Sequence, residues 1–176
     1  NYQKLIIKKN DLEISNTMGL LRDAMNRIEN IKGKNTIFFI GNTGAGKSST
    51  VGFLLGAKME EFTNLAGDRV IRYAPGQDES NFPKIGQWLG QSETLYTTGY
   101  LPSPRLQNLI KNDSIAIADC PGFLDTRGSE YELCTNLSID EAVNSVGSIE
   151  SIVAVAPASS FTDTRANAIL TLIETV

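Results

Sequence analysis

Between Ile37 and Thr50 the chain reads I-F-F-I-G-N-T-G-A-G-K-S-S-T. The residue types and spacing in this stretch suit the holding of phosphate. Gly41, Gly44 and Gly46 let the backbone curl so that several N–H groups converge on one point, and a helix opening near Lys47 adds the positive end of its dipole there. Asn42, Thr43, Gly44, Ala45, Gly46, Lys47 and Ser48 would line that nest. The Lys47 ammonium suits the β- and γ-phosphates as a point charge, and the Ser48 hydroxyl is a small hard ligand for Mg²⁺. A glycine-rich turn that binds nothing would share this composition. The flanks argue against it: an apolar strand, Ile37 to Ile40, leads in, and Val51, Phe53, Leu54 and Leu55 follow at helical spacing until Gly56.

A second constellation lies at Asp119-Cys120-Pro121-Gly122, directly after the short apolar run Ser114 to Ala118. In an open parallel sheet ligands gather at the carboxyl ends of the strands, so Asp119 is expected on the same edge as the glycine-rich loop. A carboxylate there can hold Mg²⁺ through a water. The Gly122 N–H, with no side chain beside it, can approach a γ-phosphate and let the following segment sense that group. Alone, D-x-x-G arises often by chance; its place after a buried-type strand and downstream of the loop gives it weight.

The elements that must position these residues follow from periodicity. Ile14, Met18, Leu21, Met25, Ile28 and Ile31 form an apolar stripe on a helix expected to end at Gly33, packing either on the core or against a partner. Arg69 to Tyr73 alternates as a half-buried strand, and Phe82 to Leu89 is expected to return as its partner after the turn Ala74 to Asp78, making an extra hairpin. Thr94 to Leu101 reads as strand and Arg105 to Ile110 as a helical turn. Phe123 to Gly128 reads as a mobile segment, and Ser138 to Glu141 as a capping box opening a helix that ends near Gly147. Ser151 to Ala156 reads as strand and Asp163 onward as a last helix. The order is α/β, with a mainly parallel sheet covered by helices on both faces.

Composition narrows the chemistry. The chain has 176 residues, 41% of them hydrophobic, enough for one well-buried domain. A net charge of −4 gives no general attraction to nucleic acid or an anionic membrane surface. The absence of histidine excludes His-based catalysis, and the two cysteines, Cys120 and Cys134, do not make a zinc pattern. No apolar run reaches the length of a membrane-spanning helix. An intracellular, cytoplasmic location is the expectation.

With G-N-T-G-A-G-K-S-S-T and D-C-P-G-F-L-D-T-R-G both in view, the chain resembles the P-loop GTPases, closest to the septin-like and immunity-associated groups. The resemblance covers roughly residues 35–176 and implies a three-layer P-loop fold, with residues 1–34 as an N-terminal segment whose helix packs on or beside it. It implies GTP and GDP as ligands with Mg²⁺, and a molecular switch with slow hydrolysis. Lys47 and Ser48 match the positions on the β- and γ-phosphates and Mg²⁺, Ser49 the position beside the α-phosphate, and Asp119 and Gly122 the second switch. The first-switch hydroxyl that completes the Mg²⁺ shell is expected at Thr94, with Ser92, Thr97, Thr98 and Thr63 as alternatives. Lys47, Thr94 and Gly122 would then serve hydrolysis, and Ser48, Thr94 and Asp119 the metal. The base-reading Asn-Lys-x-Asp is not in the sequence; the family places it after a further strand, so the chain is expected to be incomplete at its C-terminus. ATP therefore stays open as the alternative. Phe123 stands where many relatives carry a glutamine that orients water. The resemblance accordingly implies help from a homodimer across the nucleotide face or from a protein effector, or else a nucleotide-binding interaction module with negligible hydrolysis. Arg127 could act as an arginine finger or form a surface ion pair.

Overall fold

The computed structural model describes residue 19 and residues 22–86, 94–110, 114–122 and 129–157. Residues 22–27 are helical (α1) and run into a 3₁₀ turn at Glu29–Ile31. Then come β1 (Asn35–Ile40), α2 (Lys47–Leu54), β2 (Met59–Thr63), β3 (Arg69–Tyr73), β4 (Thr98–Tyr100), α3 (Pro104–Ile110), β5 (Ile115–Asp119), α4 (Ser129–Ser145) and β6 (Ser148–Ala154). The architecture is α/β. One mixed sheet has the order β4-β5-β1-β6, in which β1 runs parallel to β5 and β6 while β4 is antiparallel to β5; β2 and β3 form a separate hairpin.

Alternation along β1 and β5 sends side chains to two cores. Phe38, Ile40, Ala116 and Ala118 pack with Ile28 and Ile31 of the N-terminal segment and Ala142 of α4. Phe39 and Ile117 pack with Val51 and Leu55, at and just beyond α2. Helical elements therefore cover both faces, an arrangement compatible with three layers. β5 is buried at every position, as the apolar run I-A-I-A predicts.

The hairpin exists, but its strands differ from expectation. The partner of Arg69–Tyr73 is Met59–Thr63, whereas residues 82–86 carry no strand and 87–89 lie outside the described residues. Glutamate is depleted in strands, so M-E-E-F-T hides its character. Across the hairpin Glu60 faces Arg72 and the two form an ion pair at 2.6 Å, while Glu61 binds Arg69. The turn between them is set by Asn64, whose Oδ1 accepts the N–H groups of Ala66 at 3.0 Å and Asp68 at 2.9 Å.

Two further expectations are corrected. The strand at Thr94 to Leu101 contracts to Thr98–Tyr100, because the Thr97 N–H leaves the ladder and donates to Ser138 Oγ at 3.2 Å. Ser138 itself caps nothing. The helix starts at Ser129, and Ser138, 1% exposed inside it, donates to Thr135 O at 2.8 Å. A hydroxyl can bond to a carbonyl one turn back as readily as to an N-terminal amide, which is why the capping pattern misleads. The segment Phe123 to Gly128 and the last helix, from Asp163 onward, lie outside the described residues.

Candidate phosphate and metal site

Register places the site. Phe39 pairs with Asp119, and the Cys120 N–H donates to Phe39 O at 3.2 Å, so the glycine-rich loop and Asp119 leave the sheet at the same carboxyl edge. Gly41, at φ 146°, begins the loop hard against the carbonyl of Val155, where a Cβ would collide. Gly46, at φ 95°, is the left-handed N-cap of α2, a conformation open to glycine at no steric cost. Inside the loop Ala45 N–H donates to Asn42 O at 3.1 Å. At the first turn of α2 the amides have no carbonyl one helical turn before them and are free for a ligand.

Lys47 is 6% exposed, and its Nζ donates to Gly41 O at 2.8 Å and Asn42 O at 3.0 Å. The ammonium thus lies along the loop rather than in solvent. Burial lowers its pKa from the ordinary lysine value, while the Asp119 carboxylate pulls it back up.

Ser48, Thr94 and Asp119 meet although they are 46 and 71 residues apart from Ser48 in sequence. Ser48 Oγ donates to Asp119 Oδ2 at 2.7 Å and lies 3.0 Å from Thr94 Oγ1. Asp119 is 1% exposed and its Oδ1 has no hydrogen-bond partner. Burial pushes its pKa up to about 6, against the opposing pull of the Ser48 hydrogen bond, the Lys47 charge and Thr94. Cys120 is a buried free thiol whose pKa burial raises to about 12, so it offers no nucleophile.

The other hydroxyls considered for the first switch stand elsewhere. Thr63 ends β2 opposite Arg69. Thr97 is tied by its amide to Ser138, and Thr98 Oγ1 donates to Tyr96 O at 3.2 Å. Ser92, Phe123 and Arg127 lie outside the described residues. Gly122 closes on the phosphate loop: a Cβ built there would lie 2.6 Å from both Cα and N of Thr43. Ser49 sits in the first turn of α2 beside Ser48.

Among the described residues no group of three or more His, Cys, Asp or Glu side chains is placed to hold a metal. The donor set here is one carboxylate and two hydroxyls. Mg²⁺ keeps several waters and shares its shell with substrate phosphates, so it needs few protein ligands, all of them hard oxygens. The partnerless Asp119 Oδ1 shows acceptor capacity that the protein itself does not use, and these residues fit the ion.

A feature beyond the motifs is a cavity of about 870 Å³ that opens from Thr94 and Asp119. Arg27 and Asn30 on the N-terminal segment, Lys84 and Tyr100 line it. Of the described residues of the apolar stripe, Ile28 and Ile31 are buried and Met25 is 50% exposed, and Arg27 and Asn30 sit between these positions; Asn30 Nδ2 donates to Gly99 O at 3.0 Å. No helix of the described residues is long and apolar enough to cross a membrane. No family model, no curated protein and no solved structure matches the chain.

Proposed function

We propose that the chain is a P-loop nucleotide switch that binds GTP with Mg²⁺ and hydrolyses it slowly to GDP and phosphate. The observation that carries this reading is the meeting of Ser48, Thr94 and Asp119 beside the buried Lys47, at the edge where the glycine-rich loop leaves the sheet. Lys47 would stabilise the β- and γ-phosphates as a charge already oriented by two carbonyls. The α2 amides would bind phosphate oxygens, with Ser49 next to the α-phosphate. Mg²⁺, held by Ser48, Thr94 and Asp119, would neutralise charge that builds on the phosphate oxygens. Gly122, touching Thr43, would bring the second-switch segment onto the γ-phosphate. Hydrolysis joins a water oxygen to the γ-phosphorus as the bond to the β–γ bridging oxygen breaks, and the proton leaves on phosphate. Phe123 can neither donate nor accept a hydrogen bond to that water, so the intrinsic rate is slow. A second copy or an effector that places a polar group there would raise it. The matching location is the nucleotide-rich, reducing interior of the cell.

Lys47→Ala tests the site. It should weaken nucleotide affinity by a hundredfold or more, read by fluorescence titration, because it removes a buried cation from a polyphosphate. Unchanged affinity would overturn the proposal. No Asn-Lys-x-Asp is present to read guanine, so competition of GTP and ATP for one labelled analogue decides the base. A preference for ATP would turn the reading into that of a P-loop ATPase with the same phosphate chemistry.

A further inference from the structure

Thr43 stands where the phosphate loop meets the end of the Asp119–Gly122 segment. Its Oγ1 is buried and has no hydrogen-bond partner. The contact with Gly122 is close enough to exclude any side chain there, since a Cβ would collide first with Thr43 Oγ1 and would lie 2.6 Å from Thr43 Cα and N. A hydroxyl shut away from water without a partner is destabilising, and such a group calls for a water or a ligand to satisfy it. The nearby cation does not do so: Lys47 is a donor, and its Nζ is engaged with Gly41 O and Asn42 O.

The chemistry of the site names the missing partner. A hydroxyl can donate, and a terminal phosphate offers oxygens that only accept. Asn42 Oδ1, also buried without a partner, is an acceptor and cannot be served by phosphate oxygen. The Asn42 Nδ2 could donate to phosphate as well, but of the two residues it is Thr43 that lies against Gly122. On the reading given under Proposed function, the γ-phosphate lies at the Gly122 end of the loop, which is the end Thr43 touches. We infer that the Thr43 hydroxyl donates to the terminal phosphate of a bound nucleoside triphosphate and thereby favours the triphosphate over the diphosphate. The backbone amides and Lys47 grip phosphate in either nucleotide, whereas this hydroxyl meets only the group that hydrolysis removes. Thr43 is thus a specificity-determining residue for the nucleotide state.

The test compares wild type, Thr43→Val and Thr43→Ser. Affinities are measured for the β,γ-imido triphosphate and for the diphosphate of the base selected in competition, with Mg²⁺ present. Valine keeps the shape of threonine and loses the hydroxyl; serine keeps the hydroxyl. Thr43→Val should weaken the triphosphate analogue by roughly ten- to a hundredfold and the diphosphate by no more than about twofold, while Thr43→Ser stays near wild type. Equal losses for both nucleotides, or no loss for either, would overturn the inference. A Thr43→Val protein that keeps its diphosphate affinity is folded by that measurement. If Lys47→Ala abolishes binding while Thr43→Val does not discriminate, this inference fails alone. If Lys47→Ala binds as wild type does, the phosphate-loop reading falls and takes the inference with it.

Discussion

Asp119 shows how burial and chemistry compete in one side chain. Its carboxyl is pushed up to about 6 from an ordinary 3.8 by burial, with Ser48 and Lys47 resisting. A carboxyl whose folded pKa is raised contributes stability that is fully present below about pH 4 and lost as pH rises past about 6. At about 1.4 kcal/mol per tenfold change in proton affinity, the nucleotide-free protein should lose about 3 kcal/mol across that window. Urea unfolding at pH 4 and pH 7 should show the difference, and Asp119→Asn should remove it. The opposite slope belongs to metal binding, which needs the carboxylate: Mg²⁺-dependent nucleotide affinity should fall on acidification below about pH 6. At this scale the sequence was informative, because Lys47, Ser48 and Asp119 are fixed by short local spacings that coincide with strand ends. Thr94 was one of five hydroxyls, and only its Oγ1, 3.0 Å from Ser48, separates it from Thr63, Thr97 and Thr98. The partnerless Thr43 Oγ1 was illegible, since a missing partner is a property of the fold and not of a motif.

The elements were legible where one face or both are plainly apolar. β1 and β5 emerged within a residue or two of their expected bounds, as did α3, with starts expected at Ile37, Ser114 and Arg105 and found at Asn35, Ile115 and Pro104. β2 escaped the sequence reading because its Glu60 and Glu61 are poor strand formers by themselves and find their partners, Arg72 and Arg69, only across the hairpin. β4 failed because a long-range bond interrupts it. That bond supports a prediction: Ser138→Ala leaves the buried Thr97 N–H without its acceptor. Losing a buried partner costs about 1–3 kcal/mol, which a shift of the urea midpoint at unchanged slope would report. A midpoint within error of wild type would mean that the bond contributes nothing. Gly52 plays a related packing role. A Cβ there would come 3.0 Å from the Tyr73 ring and 3.1 Å from Met59 Cε, so side chains of the β2–β3 hairpin close on α2 at this position, and Tyr73 in turn donates to Pro83 O at 2.6 Å.

At the scale of the whole molecule, β1 and β5 of the described sheet end at one carboxyl edge, while β6, on its flank, leaves Ile149 45% and Ile152 49% exposed. The proposed nucleotide would lie at the carboxyl edge, and a phenyl ring such as that of Phe123 has no polar group to offer an attacking water. Turnover per molecule should therefore rise with protein concentration if a second copy completes the site, by tenfold or more between nanomolar and micromolar protein, as read by phosphate release. A flat profile would assign the missing group to a different partner. Composition bounded this scale only loosely, since charge and hydrophobic content describe a surface and a core but not what meets them.

Ser48 Oγ links Asp119 Oδ2 and Thr94 Oγ1 through hydrogen bonds among the side chains themselves. An incoming ion would therefore exchange contacts rather than recruit distant groups, and little conformational entropy is left for it to remove. Calorimetry would register such pre-organisation as a small entropic penalty on association, and stopped-flow traces as a single fast phase with no slow ordering step behind it.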